Sequence, residues 1–246
     1  MLLLGSDDPP PFEEIAGKAP LLLVCDHASD RVPASLDHLG LPPERFAEHI
    51  AVDIGAGAVT RKLAESLDAT AVLAGYSRLV VDCNRAPEDS SWIPVESDGV
   101  AIPGNKGLDD AACSRRKNEI YSPYHTAIAR CLGAMPFEPA LISIHSFTPS
   151  MGGVDRPWHI GVLWDDDARI AGPLLATLKQ EPGINVGDNQ PYSAREPRGY
   201  TVSHHAKEKG LRHVAIELRQ DLIVSDSGAS EWAERLTRIL TPILTR

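Results

Sequence analysis

Two apolar runs that each end on a histidine limit what this chain can fold into more than any other feature: Leu21-Leu22-Leu23-Val24-Cys25-Asp26-His27 and Ala140-Leu141-Ile142-Ser143-Ile144-His145-Ser146. A third run, Val214-Ala215-Ile216-Glu217-Leu218-Arg219, carries a glutamate and an arginine at its end. Short runs rich in Val, Ile and Leu read as buried strands. In an open α/β sheet, ligands bind just beyond the carboxyl ends of such strands, so residues far apart in sequence can meet there. Two imidazoles and carboxylates at one sheet edge are the ingredients of a divalent-metal hydrolase.

The rest of the pattern alternates strands with helices. The first eighteen or so residues, with Pro9-Pro10-Pro11, read as a surface arm. Pro42-Pro43 is placed to open a helix running to about Leu67. Gly55 and Gly57 inside it each cost about 1 kcal/mol relative to alanine, which implies close packing or a ligand there. Strands follow at about 70–74 and 78–83, then a long loop at about 86–109 of the kind that is usually functional. A helix at about 109–133 precedes the His145 strand. Beyond a loop with Gly152-Gly153, Trp158–Trp164 reads as a strand, and Asp165-Asp166-Asp167 caps a helix to about 180. Residues 183–199 read as loop, Thr201–Lys209 as a short helix, 212–219 as a strand and Ser227 or Ser230 to Thr245 as an amphipathic helix. This order predicts one three-layer α/β domain over 1–246, with a mainly parallel or mixed sheet and helices on both faces.

With 43% hydrophobic residues in 246, the chain can bury a sizeable core. Its formal net charge of −10 argues against nucleic acid, although a few arginines could still focus positive potential on a small anion. The apolar start Met1–Leu4 breaks at Gly5-Ser6-Asp7-Asp8. That is short of the roughly 7–15 residues of a signal core or the about 20 of a membrane span, so a cytoplasmic protein without a membrane partner is expected. The cysteines Cys25, Cys83, Cys113 and Cys131 lack CxxC spacing and read as reduced thiols. No G-x-S-x-G elbow, P-loop, G-x-G-x-x-G or H-E-x-x-H is present.

His27 and His145 are the first candidate metal ligands, because separate strands can deliver both to one point about 2.0–2.1 Å away. For the acidic ligand, Asp30 lies three residues after His27, where it could equally bond its own turn. Asp53 is preferred, because with Phe46, Ile50 and Gly57 it falls on one helical stripe, with His49 as its local partner. Glu217 and Arg219 share a face of their strand. Glu217 either pairs with Arg219 or Arg78 or serves as a general base, and beside two histidines the base reading is preferred. Arg78 and the run Asp82-Cys83-Asn84-Arg85 flank Leu79-Val80-Val81, where guanidinium groups could grip carboxylates or polarise an amide, or equally form a structural salt bridge with Asp82. The segments Tyr121–His125 and Tyr200–His205 are given surface or helix-capping roles.

Five stretches in order resemble the N-formylglutamate amidohydrolase family: Cys25–Ser29, His49–Gly55, Tyr76–Arg85, His145–Pro149 and Ile216–Ile223, spread over about residues 20–225. The resemblance implies a zinc carboxypeptidase-like fold and hydrolysis of N-formyl-L-glutamate to formate and glutamate. It also implies Zn²⁺, or another divalent ion such as Co²⁺, on His27, His145 and Asp53 or Asp30. Asn84 and Arg85 would take the substrate α-carboxylate and Glu217 would be the base, with Arg78 or Arg219 facing the second carboxylate or the developing oxyanion. Carboxypeptidases place a glutamate three residues after the first histidine, and here that position is Asp30. The expected partner is therefore a small anionic N-acyl amino acid. The rivals are a deacylase or amidase for another N-acyl or peptide substrate, and a non-catalytic metabolite-binding module.

Overall fold

The structure, a computed structural model, describes residues 2–136, 138–195 and 199–245. The chain starts with an edge strand, β1 (Phe12–Ile15), followed by β2 (Ala19–Cys25), helix α1 (Ala56–Leu67) and β3 (Ala69–Ala74). A small hairpin, β4 (Glu96–Ser97) and β5 (Val100–Ala101), lies in the long loop before α2 (Asp110–Arg116). One π turn, Lys117–Tyr121, joins α2 to α3 (Ser122–Ala134). Next come β6 (Ala140–Phe147), the hairpin β7 (Ser150–Met151) and β8 (Val154–Asp155), and β9 (Ile160–Leu163). Then α4 (Ala168–Leu178), β10 (Val186–Asp188), α5 (Thr201–His205), β11 (Arg212–Arg219) and α6 (Asp226–Leu244) complete the chain.

Seven strands form one mixed sheet in the order β1-β3-β2-β6-β11-β9-β10. The central four, β3, β2, β6 and β11, are mutually parallel, while β1 and the β9–β10 pair run the other way. Period-2 alternation then divides the core. Leu21, Leu23, Ile142, Ile144, Val214 and Ile216 point to one face, where they pack on Val59 and Leu63 of α1, Leu174 of α4 and Leu236 of α6. Leu22, Val24 and Leu141 point to the other face, against Tyr124 and Ile128 of α3 and the loop residues Leu79 and Val80. Each fully buried leucine here contributes about 1.5–3 kcal/mol of hydrophobic stabilisation. The result is the expected three-layer α/β architecture.

Several expectations change, among them the reading of 183–199 as loop, which contains β10. The helix expected from Pro42 begins only at Ala56. Pro43–Ala47 forms a 3-10 turn, Glu48 is extended, and Gly55 at the helix start has φ +81. A Cβ on Gly55 would lie 2.3 Å from the Ile223 carbonyl oxygen, so the close approach of that loop requires glycine there. The run Leu79-Val80-Val81 is buried but is not a strand, because its amides serve turns: Val80 N–H donates to Ser77 O and Asp82 N–H to Trp92 O. Part of the expected arm, Phe12–Ile15, pairs with β3.

The tyrosine and histidine segments are also placed differently from the expected surface or capping roles. Tyr121, Tyr124, His125 and His205 are buried. His125 Nε2–H donates to Cys83 O at 3.0 Å, so its Nδ1 accepts from His205 Nε2–H at 2.9 Å, the two rings being stacked. His205 Nδ1 has no partner among the described residues. Burial lowers His125 to about 4 and His205 to about 3. A lowered histidine stabilises the fold fully above its unfolded value near 6.5 and loses that contribution as pH falls towards the folded value. Taken over that interval, His125 alone is expected to account for about 3 kcal/mol. Denaturant unfolding at pH 7.0 and 4.5 should show wild type losing more stability on acidification than H125Q, the variant subtracting the groups outside this histidine pair. An equal loss in both would contradict neutral burial of this pair.

Candidate active site

The sheet gathers the candidate residues at the carboxyl edge of its parallel strands. His27 lies two residues past β2, His145 lies in β6, and Glu217 is the register partner of His145 on β11. Along β6 and β11, the face that carries Leu141 turns polar towards this edge, as Ser143 and His145 and as Glu217. Asp53 arrives from the loop before α1. Its N–H donates to His27 O at 3.0 Å, Ser77 Oγ donates to Ala51 O, and Ser146 Oγ donates to Ile54 O. These non-local bonds set the carboxylate, which a helix does not. His49, the expected partner of Asp53, pairs instead with Asp98 at 3.0 Å.

Both imidazoles aim Nδ1 at one atom. Asp53 Oδ2 lies 3.3 Å from His27 Nδ1 and 2.8 Å from His145 Nδ1, and all three residues are buried. One ligand atom from each of the three falls within 4.8 Å of the others. The outer nitrogens are backed by oxygen acceptors: His27 Nε2 by Asp82 Oδ1 at 2.8 Å, and His145 Nε2 by Ser143 Oγ at 2.9 Å and Asp26 Oδ2 at 3.3 Å. Carboxylates behind metal-binding histidines fix the tautomer that leaves the inner nitrogen available. Asp30, the alternative acid, is exposed and lies outside this group.

The electrostatics follow from burial and pairing. Burial alone would raise the Asp53 carboxyl, but His27 and His145 hold it well below the usual carboxylate range. Asp26, opposed by burial, is lowered to about 2 by His145 and by Thr201, whose Oγ1 donates to it at 2.6 Å. Burial would lower His145, and its bonds to Asp26 and Asp53 raise it well above the ordinary value. Glu217 goes the opposite way from the aspartates. Burial first, and the Asp53 charge among the other causes, raise it to about 7, and its Oε2 has no hydrogen-bond partner among the described residues. A buried polar atom without a partner marks a strained or functional position.

His27, Asp53, Arg78, Asn84, Arg85, His145 and Glu217 all line one cavity of about 730 Å³. Arg78 bridges Asp82 at 3.0 Å and Asp53 at 3.5 Å, and Asn84 Oδ1 accepts the Tyr200 and Thr201 N–H groups that begin α5. Arg219 does not line the cavity. The strand alternation that puts it on the Glu217 face ends there, and Asp221 in the following 3-10 turn takes its guanidinium at 2.8 Å. Asp26, Trp164, Tyr192 and Arg195 also belong to the site or its wall and carried no role in the sequence reading, whereas the salt bridge of Arg78 with Asp82, the alternative to a substrate contact, does form at 3.0 Å. Of those four only Asp26 had a local signal, as an acid adjoining a motif histidine. Tyr192 lines the cavity and accepts from Arg156 Nη1 at 3.1 Å.

The sheet order and the site at its edge define a three-layer α/β fold whose cavity opens at the carboxyl ends of the parallel strands. The chain belongs to the N-formylglutamate amidohydrolase family, whose profile matches residues 19–224. It is similar to the gene product Atu2144 of Agrobacterium tumefaciens, with 35% identity, TM-score 0.93, and 99% of this chain and 98% of that chain covered. It is also similar to N-formylglutamate amidohydrolase from Ralstonia eutropha JMP134, with 21% identity, TM-score 0.60 and 96% of each chain covered. The cell shape determinant Csd4 of Helicobacter pylori shares the fold at 13% identity and TM-score 0.50, covering 95% of this chain and 55% of that one. No curated protein matches the chain. Among the described residues no helix is long and apolar enough to cross a membrane.

Proposed function

We propose that this protein is a metal-dependent amidohydrolase that cleaves N-formyl-L-glutamate, or a similar small N-acyl amino acid, to the free acid and the amino acid. One observation carries the reading: two histidine Nδ1 atoms and the Asp53 carboxylate converge beside a buried Glu217, whose Oε2 has no hydrogen-bond partner among the described residues, on the wall of a cavity. The donor set fits a divalent ion, with two imidazoles and one carboxylate leaving a position open as catalytic zinc sites do. His27, Asp53 and His145 would hold Zn²⁺ or another divalent ion such as Co²⁺, which when bound supplies Lewis acidity that polarises the acyl carbonyl and acidifies water.

The protein's own groups then account for the proton path. Glu217 Oε2 takes a proton from the attacking water as the C–O bond forms and the carbonyl electron pair moves onto its oxygen; it then delivers that proton to the amine nitrogen as the pair returns and the C–N bond breaks. A carboxyl near neutrality suits both steps, because it accepts and returns the proton at comparable cost. Arg78, already fixed on Asp53 and Asp82, faces the oxygen that gains negative charge. Arg85 with Asn84 takes the α-carboxylate, and the cavity offers a positive locus in a chain of net charge −10.

The test is acid release from a panel of N-formyl, N-acetyl and peptidyl amino acids, with metal added and with chelator. Formate release from N-formylglutamate that chelator abolishes and metal restores is the expected result. Turnover of only acetyl or peptidyl compounds would transfer the reading to a related deacylase. No turnover and no metal binding would leave a non-catalytic binding protein.

A further inference from the structure

Substrate choice within that reading, on which this inference rests, is a matter of cations. An N-acyl glutamate brings two carboxylates into the cavity. Four basic side chains other than histidine line it among the described residues: Arg78, Arg85, Arg195 and Lys207. Arg78 is bound to Asp82 and Asp53, and Lys207 to Asp165. Arg219 is turned to Asp221 outside the cavity. Arg195 differs from these. Among the described residues it has no ion pair, and its guanidinium carbon lies over the Trp164 ring, 5.3 Å from the centroid.

The surroundings hold this pair in place. The Trp164 indole N–H donates to Asp188 at 2.8 Å, which fixes the ring. Asn189 Oδ1 accepts both Trp164 N–H and Ala194 N–H at 3.1 Å, tying the end of β9 to the loop that carries Arg195. That loop seats against the sheet through the Gln190 carbonyl, which lies where a Cβ on Gly161 or Gly187 would be, at 2.1 and 2.5 Å. The nearby acids are occupied, Asp165 by Lys207 and Asp188 by the indole. A guanidinium over an aromatic face spends its π surface there and keeps its N–H donors for a carboxylate, which they meet two at a time.

We propose that Arg195, stacked over Trp164, selects an acidic side chain by binding the second carboxylate of an N-acyl dicarboxylic amino acid. Arg195 is a specificity residue for the distal carboxylate, and its role is distinct from that of Arg85 at the α-carboxylate.

The test compares N-formylglutamate with its neutral isostere N-formylglutamine on metal-loaded wild type, R195Q and R195K. For R195Q, kcat/KM on N-formylglutamate is expected to fall about 10- to 100-fold, mostly through KM, the scale of a lost charge-assisted hydrogen bond. N-formylglutamine should stay within about threefold, since uniform binding of the rest of the substrate is untouched. R195K should recover part of the preference. A wild type with no preference, an equal loss on both substrates, or unchanged selectivity in R195Q would overturn the assignment. A wild type that hydrolyses neither compound would remove the functional reading and this assignment with it, and that failure shows in the wild-type measurement alone.

Discussion

E217Q is expected to bind metal like wild type and to lose at least about 100-fold in kcat, the usual scale for removal of a general base. Glutamine keeps the shape and volume of the side chain, so the sheet edge and the Gly161 opposite Glu217 on β9 need not move. It removes the group that accepts and returns the proton. Glu217 Oε2 makes no hydrogen bond among the described residues, so the substitution breaks no described bond of that oxygen. Burial that raises the carboxyl to about 7 disfavours the charged form, and the neutral amide is spared that charge, so above pH 7 E217Q should be at least as stable as wild type. Parallel steady-state kinetics, metal analysis and thermal melts check this. Near-normal turnover would end the base assignment, and lost metal would recast Glu217 as a ligand.

H145A is expected to have the second large effect, with bound metal falling from about one per chain to near zero after exposure to a mild chelator. Removing this ring takes away one of only two nitrogen donors, and three-ligand catalytic sites have none to spare. It also strips Asp26 and Asp53 of a buried partner. Leaving a buried charge uncompensated costs about 3–5 kcal/mol, so a lower melting temperature should accompany the metal loss. H27A provides the independent check: it empties the same centre through Asp53 and Asp82 while leaving β6 unchanged. Retained stoichiometric metal in both variants would contradict the proposed ligand set, whatever their activity.

The three strands that build the site were legible because local pattern and burial agree on them. Leu21–Cys25, Ala140–Ile144 and Val214–Leu218 are apolar where both sheet faces are covered, and their polar residues come where the sheet meets the cavity. Asp53 was found for a reason that the fold does not use. Helical spacing from Phe46 to Gly57 singled it out, whereas its position comes from the bond to the His27 carbonyl and from a loop that Gly55 turns into α1. Leu79-Val80-Val81 reads as a strand by composition, yet its amides are taken by Ser77 and by neighbouring turns, so no sheet partner forms. Arg219 was placed on the correct face and then lost to Asp221, two residues on. The backing of His145 by Asp26, and the Trp164–Arg195 pair, bring together residues more than 30 positions apart and have no periodic signature. Non-local pairs of that kind are what a single sequence conceals.

The most direct measurement of the central claim is an anomalous-difference map from crystals of the metal-loaded protein, collected at the absorption edge of the added ion. The account predicts one peak about 2.0–2.1 Å from Nδ1 of both His27 and His145, with Asp53 oxygen in the same shell. A peak elsewhere, or none between these rings at saturating metal, would contradict it.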